Sequence, residues 1–309
     1  MTGFGVHLTM HPPEEQFALV RRVEELGFDS VWTGDHVAFN TPLYESLTLL
    51  AAYAPITRRL KLGVAVYLLA LRSAAVAAKV TATLDVLSGG RLIFGVGVGG
   101  ENPKEFELCG VLHAERGARV TEGIDAVRAL WRDTPATFQG RFNRFKDVSI
   151  DPKPVQTLPP VWVGGRSDAA LVRAGRQGDG WVSYVVQPER YARSLETIRE
   201  AAHAAGRSLA DFTAAPRLHR RGARLRARQA GVGQRPLQAL RPELRAPRTE
   251  VRDHRHPRPV RRAARGVPRR RLRLLPPERD RRAPRGAGAA RGDRRGDPPA
   301  SPGALSGPP

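Results

Sequence analysis

Three places in this 309-residue chain put groups that can do chemistry beside a turn or a run of glycines. The first is Asp35-His36. An imidazole there can exchange a proton with a substrate near neutral pH, and the adjacent carboxylate can orient a group beside it. The same pair would also serve as the plain start of a surface loop. The second is GVGVGG, residues 95–100, followed by Glu101. Its spacing matches G-x-G-x-x-G, but a dinucleotide fingerprint opens the first strand–helix unit of its fold, and this one follows three complete units. What remains is that Gly97 and Gly99 let a ligand approach the backbone closely. Glu101 is then an acid–base group or merely the first turn of the next helix. The third is Gly164, Gly165, Arg166 and Ser167. Backbone amides at a helix N-terminus plus one guanidinium form a phosphate site. Ser167 capping a tight turn is compatible with that.

Two other features read as structure. GDGW, residues 178–181, brings a chain reversal and places Trp181 as core filler. Cys109, in a helical context with no His or Asp partner near in sequence, reads as a buried structural thiol rather than a nucleophile. As the single cysteine it excludes an internal disulfide and suits a reducing compartment. No His/Cys/Asp cluster has metal-ligand spacing, so no metal is expected.

The elements that must position these groups alternate strictly. FGVHLT, FDSVWTGDH, LKLGVAVYLLAL, RLIFGVGVGG, PPVWVGG and GWVSYVV read as six strands, and DFTAA starts a seventh. Helices are expected from PPEEQFALVRRVEELG, from around Glu45–Ile56, from SAAVAAKVTATLDVLSGG, over Arg116–Arg132, from SDAALVRAGRQG and from PERYARSLETIREAAHAAG. In the first, Phe17, Val20, Val23 and Leu26 form the apolar side, and TFQGRFNRFKDVSI reads as a hairpin excursion. Strand–helix alternation implies a parallel sheet. Six and a half units exceed a Rossmann half and fall just short of an eight-stranded barrel, whose chemistry lies at the C-terminal strand ends. All three glycine- or histidine-bearing sites are at such ends.

Composition divides the chain. From Pro216 to the end there are 27 Arg, no Lys and 7 acids, and 15 of the 26 prolines. All 19 aromatic residues precede Pro216. A segment with high net charge and no aromatics buries too little apolar surface to offset its conformational entropy. Residues 1–215 are therefore read as the globular domain and 216–309 as a tail unlikely to fold. MTGFGVHL shows no secretory pattern, and the longest apolar run, Leu62 to Leu71, is about half of the ~20 residues of a membrane-spanning helix. A soluble, cytoplasmic protein is expected.

Several long blocks, in order over residues 4–215, resemble the luciferase-like monooxygenase superfamily, in particular its coenzyme F420-dependent oxidoreductases. They are LGFDSVWTGDH, LKLGVAVYLLALR, TATLDVLSGGRLIFGVGVGG, GRFNRFKDVSIDPKPVQ continuing to PPVWVGGRSDAALVRAGRQGDGW, and AGRS. The resemblance implies a TIM (β/α)8 barrel, here incomplete, with F420, or FMN in sister branches, in its C-terminal mouth. It implies hydride transfer with a small-molecule substrate, no membrane or specific nucleic-acid partner, and a homodimer in intact members. His36 and Glu101 match catalytic positions. Asp35, Ala65, Val66, Gly97, Gly99, Gly164, Gly165, Arg166 and Ser167 match cofactor-binding ones, Ala65–Val66 being the bulge that often carries a non-prolyl cis peptide. Ala70 stands where the family often has Pro. The aromatic that sugar-phosphate members place past the DH pair is read as missing, with Asn40 near that place, which argues against a sugar phosphate.

After DFTAA the family continues with two more strands and helices, where this chain offers arginine and proline. GC-rich genes translated out of frame give such runs. Re-read one base later with free codons, VRDHRHPRPVRRA can give YAITGTPDQCAE and RRRLRLLPP can give GVDYVFFQ. These resemble, in order, the family's GTP-x-x-x-AE helix start and its last strand. A frame error near 215–222 is the favoured reading, and binding of deazaflavin by the chain as written is expected to be poor. The rival is a basic arm that holds nucleic acid by counterion release, against which stand the absent lysines and aromatics. A third reading keeps the barrel as an FMN-dependent monooxygenase.

Overall fold

Seven parallel strands, each fed by a helix or a long connection, make one curved sheet in a computed structural model that describes residues 3–217. The strands are β1 (Gly5–His7), β2 (Ser30–Thr33), β3 (Lys61–Val64), β5 (Leu92–Gly97), β8 (Val161–Gly164), β9 (Gly180–Tyr184) and β10 (Thr213–Arg217), paired in that order. A short β4 (Tyr67–Leu68) adds to β5 alone, and β6 (Ala136–Gln139) and β7 (Arg144–Val148) form the separate antiparallel hairpin. Among the described residues β1 and β10 pair on one side only. This is the incomplete barrel expected from the sequence, with a seventh strand that pairs with β9 along all five of its residues. β10 takes in Pro216 and Arg217, and the rest of the tail, residues 218–309, lies outside the described residues.

The helices are α1 (Pro13–Glu25), α2 (Ser46–Tyr53), α3 (Ala74–Ser88), α4 (Pro103–Leu108), α5 (Arg116–Arg132), α6 (Asp168–Gln177) and α7 (Pro188–Ala204). Sequence signals explain their ends. Pro13 opens α1, the Glu45 carboxylate and the Ser73 and Ser167 hydroxyls cap α2, α3 and α6, and Gly89 closes α3 in the left-handed region at φ 66°. No helix among the described residues is long and apolar enough to cross a membrane.

Alternation sorts the two sheet faces. Val31, Leu62, Val64, Phe94, Val96 and Val163 are buried toward the helices, with Trp131 against Phe94. The opposite face carries Trp32 and Trp162, 5.1 Å apart between ring centroids. They fit because their neighbours are glycines: a Cβ at Gly63 would lie 2.3 Å from Trp32, and one at Gly180 would lie 2.7 Å from Trp162.

Three readings need correction. The third strand does not run through LKLGVAVYLLAL: it stops at Val64, resumes as β4, and ends in a 3-10 turn at Leu69–Leu71. Every residue from Leu62 to Leu71 except Val66 is buried, so the run has no polar alternation that could mark the break. The buried side of α1 is Gln16, Leu19, Val20 and Val23, with Phe17 and Leu26 only half-buried. Gln16 enters the core because its amide donates to the Tyr53 hydroxyl (2.5 Å) and its carbonyl accepts from His11 N–H (2.8 Å). Cys109 is half-buried at the end of α4, where it lines a cavity of about 320 Å³, and burial pushes its thiol up.

GDGW is structural. Trp181 is fully buried, and the Asp179 carboxylate accepts from Val161 N–H (2.9 Å), Arg128 (2.5 Å) and Arg207 (3.4 Å), joining the lower ends of β8 and β9. Glu24, on α1, performs a similar task. Its carboxylate accepts from the N–H groups of Arg58, Arg59 and Leu60 ahead of β3. Burial pushes this carboxyl up, but the N–H groups of Arg59, Arg58 and Leu60 outweigh it and hold it below the usual range.

Two stability experiments test these contacts. A carboxyl depressed in the folded state stabilises above its unfolded pKa, and that contribution is lost as pH falls through the folded value. The urea midpoint of Glu24→Gln should thus lie below wild type at pH 7, and the gap should close as pH falls below the ordinary carboxylate range. An unchanged gap at pH 3 would show that the carboxylate charge is irrelevant. The second concerns Gly97, where a Cβ would sit 2.2 Å from Val66 Cγ2. Gly97→Ala should cost about 1–3 kcal/mol by overpacking, and Val66→Ala in the same chain should recover most of it. At Gly95 a Cβ would meet the Val64 carbonyl oxygen at 2.0 Å. Gly95→Ala should cost more and resist that rescue.

Candidate active site

Asp35 and His36 follow the C-terminal end of β2, and their side chains part company. Asp35 is buried, and both its oxygens are taken by the chain itself. Oδ1 accepts from the Ser46 hydroxyl (2.9 Å) and Arg72 Nη2 (2.9 Å), and Oδ2 from Leu68 N–H (2.8 Å) and Arg72 Nη1 (2.8 Å). Burial pushes the Asp35 carboxyl above the usual range, against the pull of Arg72, the Leu68 N–H and the Ser46 hydroxyl. Arg72 also lies 4.3 Å over the Tyr67 ring.

His36 stands between two carboxylates. Its Nδ1 is 3.1 Å from Glu105 Oε2 and its Nε2 is 3.8 Å from Glu101 Oε2. Phe39 stacks on the imidazole, with ring centroids 3.9 Å apart and planes at 12°. Phe39 thus places an aromatic three positions past His36, one residue before Asn40. Glu101 is half exposed on a bend before α4, whereas Glu105 is fully buried on α4.

Sequence reasoning missed Glu105 and Arg72. Asn102-Pro103 with Glu105 three residues past the cap looks like an ordinary capping box, and Asn102 does cap α4. The Glu105 carboxylate instead accepts from the backbone N–H groups of Val37 and Ala38 and faces His36, 69 positions away in sequence. The Asn102 amide completes the clasp by donating to the Ala38 carbonyl (3.0 Å).

The glycines of the mouth make room first for the protein itself. A Cβ at Gly97 or Gly164 would fall 2.2 Å or 2.4 Å from the Val66 side chain, so Val66 is seated between the ends of β5 and β8. The Ala65–Val66 peptide is cis. Gly99, Gly100 and Gly165 take positive φ (60°, 114° and 128°), which turns the backbone over at the mouth. Beside Gly100 lie His113 Nε2 and Arg116 Nε, both buried with no hydrogen-bond partner among the described residues. On the far side, Gly165 donates to the Val182 carbonyl (3.3 Å) and its own carbonyl accepts from Trp181 Nε1 (2.8 Å). Ser167 caps α6, and Arg166 is exposed, 6.0 Å from the Tyr184 ring centroid. His36 touches Glu101, Glu101 follows the β5 loop, and Val66 bridges β5 to β8. The three sequence sites thus gather at one end of the sheet.

Residues 2–274 match the sequence profile of the luciferase-like monooxygenase family, beyond the span over which the motifs were read. The phthiodiolone/phenolphthiodiolone dimycocerosates ketoreductase of Mycobacterium tuberculosis is 31% identical over 236 residues, covering 68% of this chain and 61% of that protein. The solved monooxygenase RslO1 from Streptomyces bottropensis aligns at 31% identity with a TM-score of 0.62, over 69% of this chain and 70% of that one. The coenzyme F420 dependent tetrahydromethanopterin reductase from Methanopyrus kandleri aligns at 25% identity with a TM-score of 0.61, over 69% and 65%. Other solved chains of this fold are F420-dependent or hold FMN. The chain spans 57% of the length of further mycobacterial relatives, to which it is 35% identical over 167 residues. A parallel sheet with its polar groups gathered at the C-terminal strand ends, and a profile match over most of its length, make this chain a member of the luciferase-like monooxygenase family.

Proposed function

We propose that the protein is an oxidoreductase that moves a hydride between coenzyme F420 and a small organic substrate of the ketone or secondary-alcohol class. The observation that carries this reading is His36, a nearly enclosed imidazole at the end of β2 whose Nε2 faces Glu101 and whose other nitrogen is held by Glu105. A relative named as a ketoreductase and a solved chain named as an F420-dependent reductase support it.

The residues present fit a planar cofactor with an anionic tail. Val66, held up by Gly97 and Gly164, offers an apolar floor, and Gly99 and Gly100 expose backbone beside it. The turn Gly164–Ser167 opens α6, whose first N–H groups and the exposed Arg166 suit a phosphate. When bound, the deazaflavin supplies the hydride donor or acceptor. The chain's own part is to handle the proton. His36 Nε2 takes the proton from the substrate hydroxyl, or returns it to the carbonyl oxygen, while Glu101 stabilises the charged ring. Asp35 has both oxygens engaged within the chain, and its part is to hold Leu68 and Arg72 against the end of β2.

The second reading, an FMN-dependent monooxygenase, draws support from RslO1, which is as similar in sequence as the ketoreductase. Residues 216–309 are taken as an out-of-frame translation, supported by their 27 arginines without a lysine or an aromatic. An open alternative frame near codon 218 with a GTP-x-x-x-AE-like segment is the expected finding in the gene. Early stop codons there would hand the tail to the basic-arm reading.

Titration of the frame-restored protein with F420 and with FMN, each followed by cofactor fluorescence, decides between the two cofactors. Tighter binding of F420 and F420 reduction by secondary alcohols are expected. Preference for FMN with oxygen consumption would replace the first reading by the second. His36→Ala should lower turnover by roughly 10²-fold or more with the F420 titration unchanged. An unchanged rate would reduce His36 to a structural residue.

A further inference from the structure

We infer that Glu105 is a positioning residue that sets the tautomer of His36, keeping the proton on Nδ1 so that Nε2 presents its lone pair to the mouth. This deepens the reading of His36 as the proton-handling group and rests on it for its catalytic consequence, but the tautomer itself is a property of the chain alone.

The argument starts from what a carboxylate can do. An ionised Glu accepts hydrogen bonds and donates none. Glu105 is fully buried, and among the described residues its ion-pair partner is His36 alone. A charge in that position persists only if its oxygens are satisfied. Here Oε1 accepts from two backbone N–H groups, Val37 and Ala38, which satisfies that oxygen. Oε2 then faces Nδ1 at 3.1 Å, and the hydrogen of that contact must come from the imidazole. The neutral ring is thus the Nδ1–H tautomer.

The ring has no easy alternative. Its side chain is 14% exposed, and the Phe39 ring lies flat against it. A half-turn of the imidazole would set a C–H against Glu105 and leave a buried carboxylate oxygen unpaired. The charged groups that face His36 are Glu105 and Glu101 from the α4 segment. On its own loop, the neighbouring Asp35 is tied to Arg72. A proton taken up at Nε2 meets Glu101, 3.8 Å away.

The opposite assignment predicts different chemistry. With the neutral ring's proton on Nε2, that nitrogen could donate to a carbonyl but could not take a hydroxyl proton. Glu105→Gln tests this sharply because it keeps the shape. Its carbonyl oxygen is still required by the Val37 and Ala38 N–H groups, which turns its NH₂ toward Nδ1. That amide must donate, so the ring proton moves to Nε2.

The experiment is 15N–1H correlation through the two-bond couplings of the histidine rings, on the full 309-residue chain labelled at histidine. The His36 signals are identified by their loss in His36→Asn. Wild type above pH 8 should show a protonated-type Nδ1 and an unprotonated-type Nε2. Glu105→Gln should exchange the two, and Glu101→Gln should not. In the frame-restored enzyme, Glu105→Gln should lower kcat roughly 10²-fold or more, lose the acid limb of the pH profile and leave F420 affinity within about twofold. A wild-type ring protonated at Nε2 overturns the inference even if Glu105→Gln fails to fold, and so does an unchanged tautomer in a folded Glu105→Gln. If the tautomer behaves as stated but no F420 chemistry is found, the inference stands and the functional reading fails.

Discussion

The mouth is organised around one buried carboxylate. Asp35 takes four hydrogen bonds from three directions: the start of α2 through Ser46, β4 through Leu68, and the segment before α3 through Arg72. Those segments are 11, 33 and 37 residues away, and the carboxylate is the point at which they meet. Removing it would leave Arg72 without its counter-ion and cost about 3–5 kcal/mol. The charge is tolerated because its lone pairs are occupied, and it leaves none for a ligand. What it presents to a ligand is the next residue. With the end of β2 held from below, the chain turns and His36 emerges on the open side.

His36 is then fixed by a second carboxylate with a different task. Asp35 gathers backbone and side chains that belong to the frame, whereas Glu105 gathers the loop after β2, through Val37 and Ala38, and uses its remaining oxygen on the imidazole. One buried acid positions the strand and the other positions the ring. Glu101, half exposed and 3.8 Å from Nε2, is the member of the trio free to respond to an entering ligand. The two buried acids differ in their hydrogen-bond partners, and the third differs from both in its exposure. That is how an active site separates groups of like chemistry.

The strand–helix order and the gathering of the three motif sites at one sheet end were legible in the sequence. Periodic helices such as α5, with Val120, Ile124, Val127 and Trp131 on one side, declare themselves, and proline, glycine and serine mark their ends. The break after β3 was not legible, because burial on all sides removes the alternation that would show it. Glu105 was hidden for the opposite reason. Locally it completes a capping pattern, and its real partners lie 67–69 residues away. The glycines were legible as glycines but not for their neighbour: Gly97 was read as a close approach of a ligand and Gly164 as part of a phosphate turn, and both lie against the Val66 side chain. A short-range pattern shows that a Cβ is unwelcome at a position, and only the fold shows what it would meet.

The groups proposed to handle the proton are contributed by a contiguous early part of the chain. Asp35, His36, Phe39, Ser46, Leu68, Arg72, Glu101 and Glu105 all precede the hairpin β6–β7, and each contact among them is made by β2, β4, α2, α4 or the loops joining them. The groups suited to an anionic tail, Gly164 to Ser167, come later and rest on β8, β9 and α6, and the neighbouring β10 has no second partner among the described residues. A parallel strand at an open edge is held by one ladder instead of two. The two halves of the site therefore differ in what they need from the rest of the chain. The His36 constellation is complete within residues that are already paired and packed. The turn after β8 rests on β8, β9 and α6, beside a β10 that pairs on one side only among the described residues.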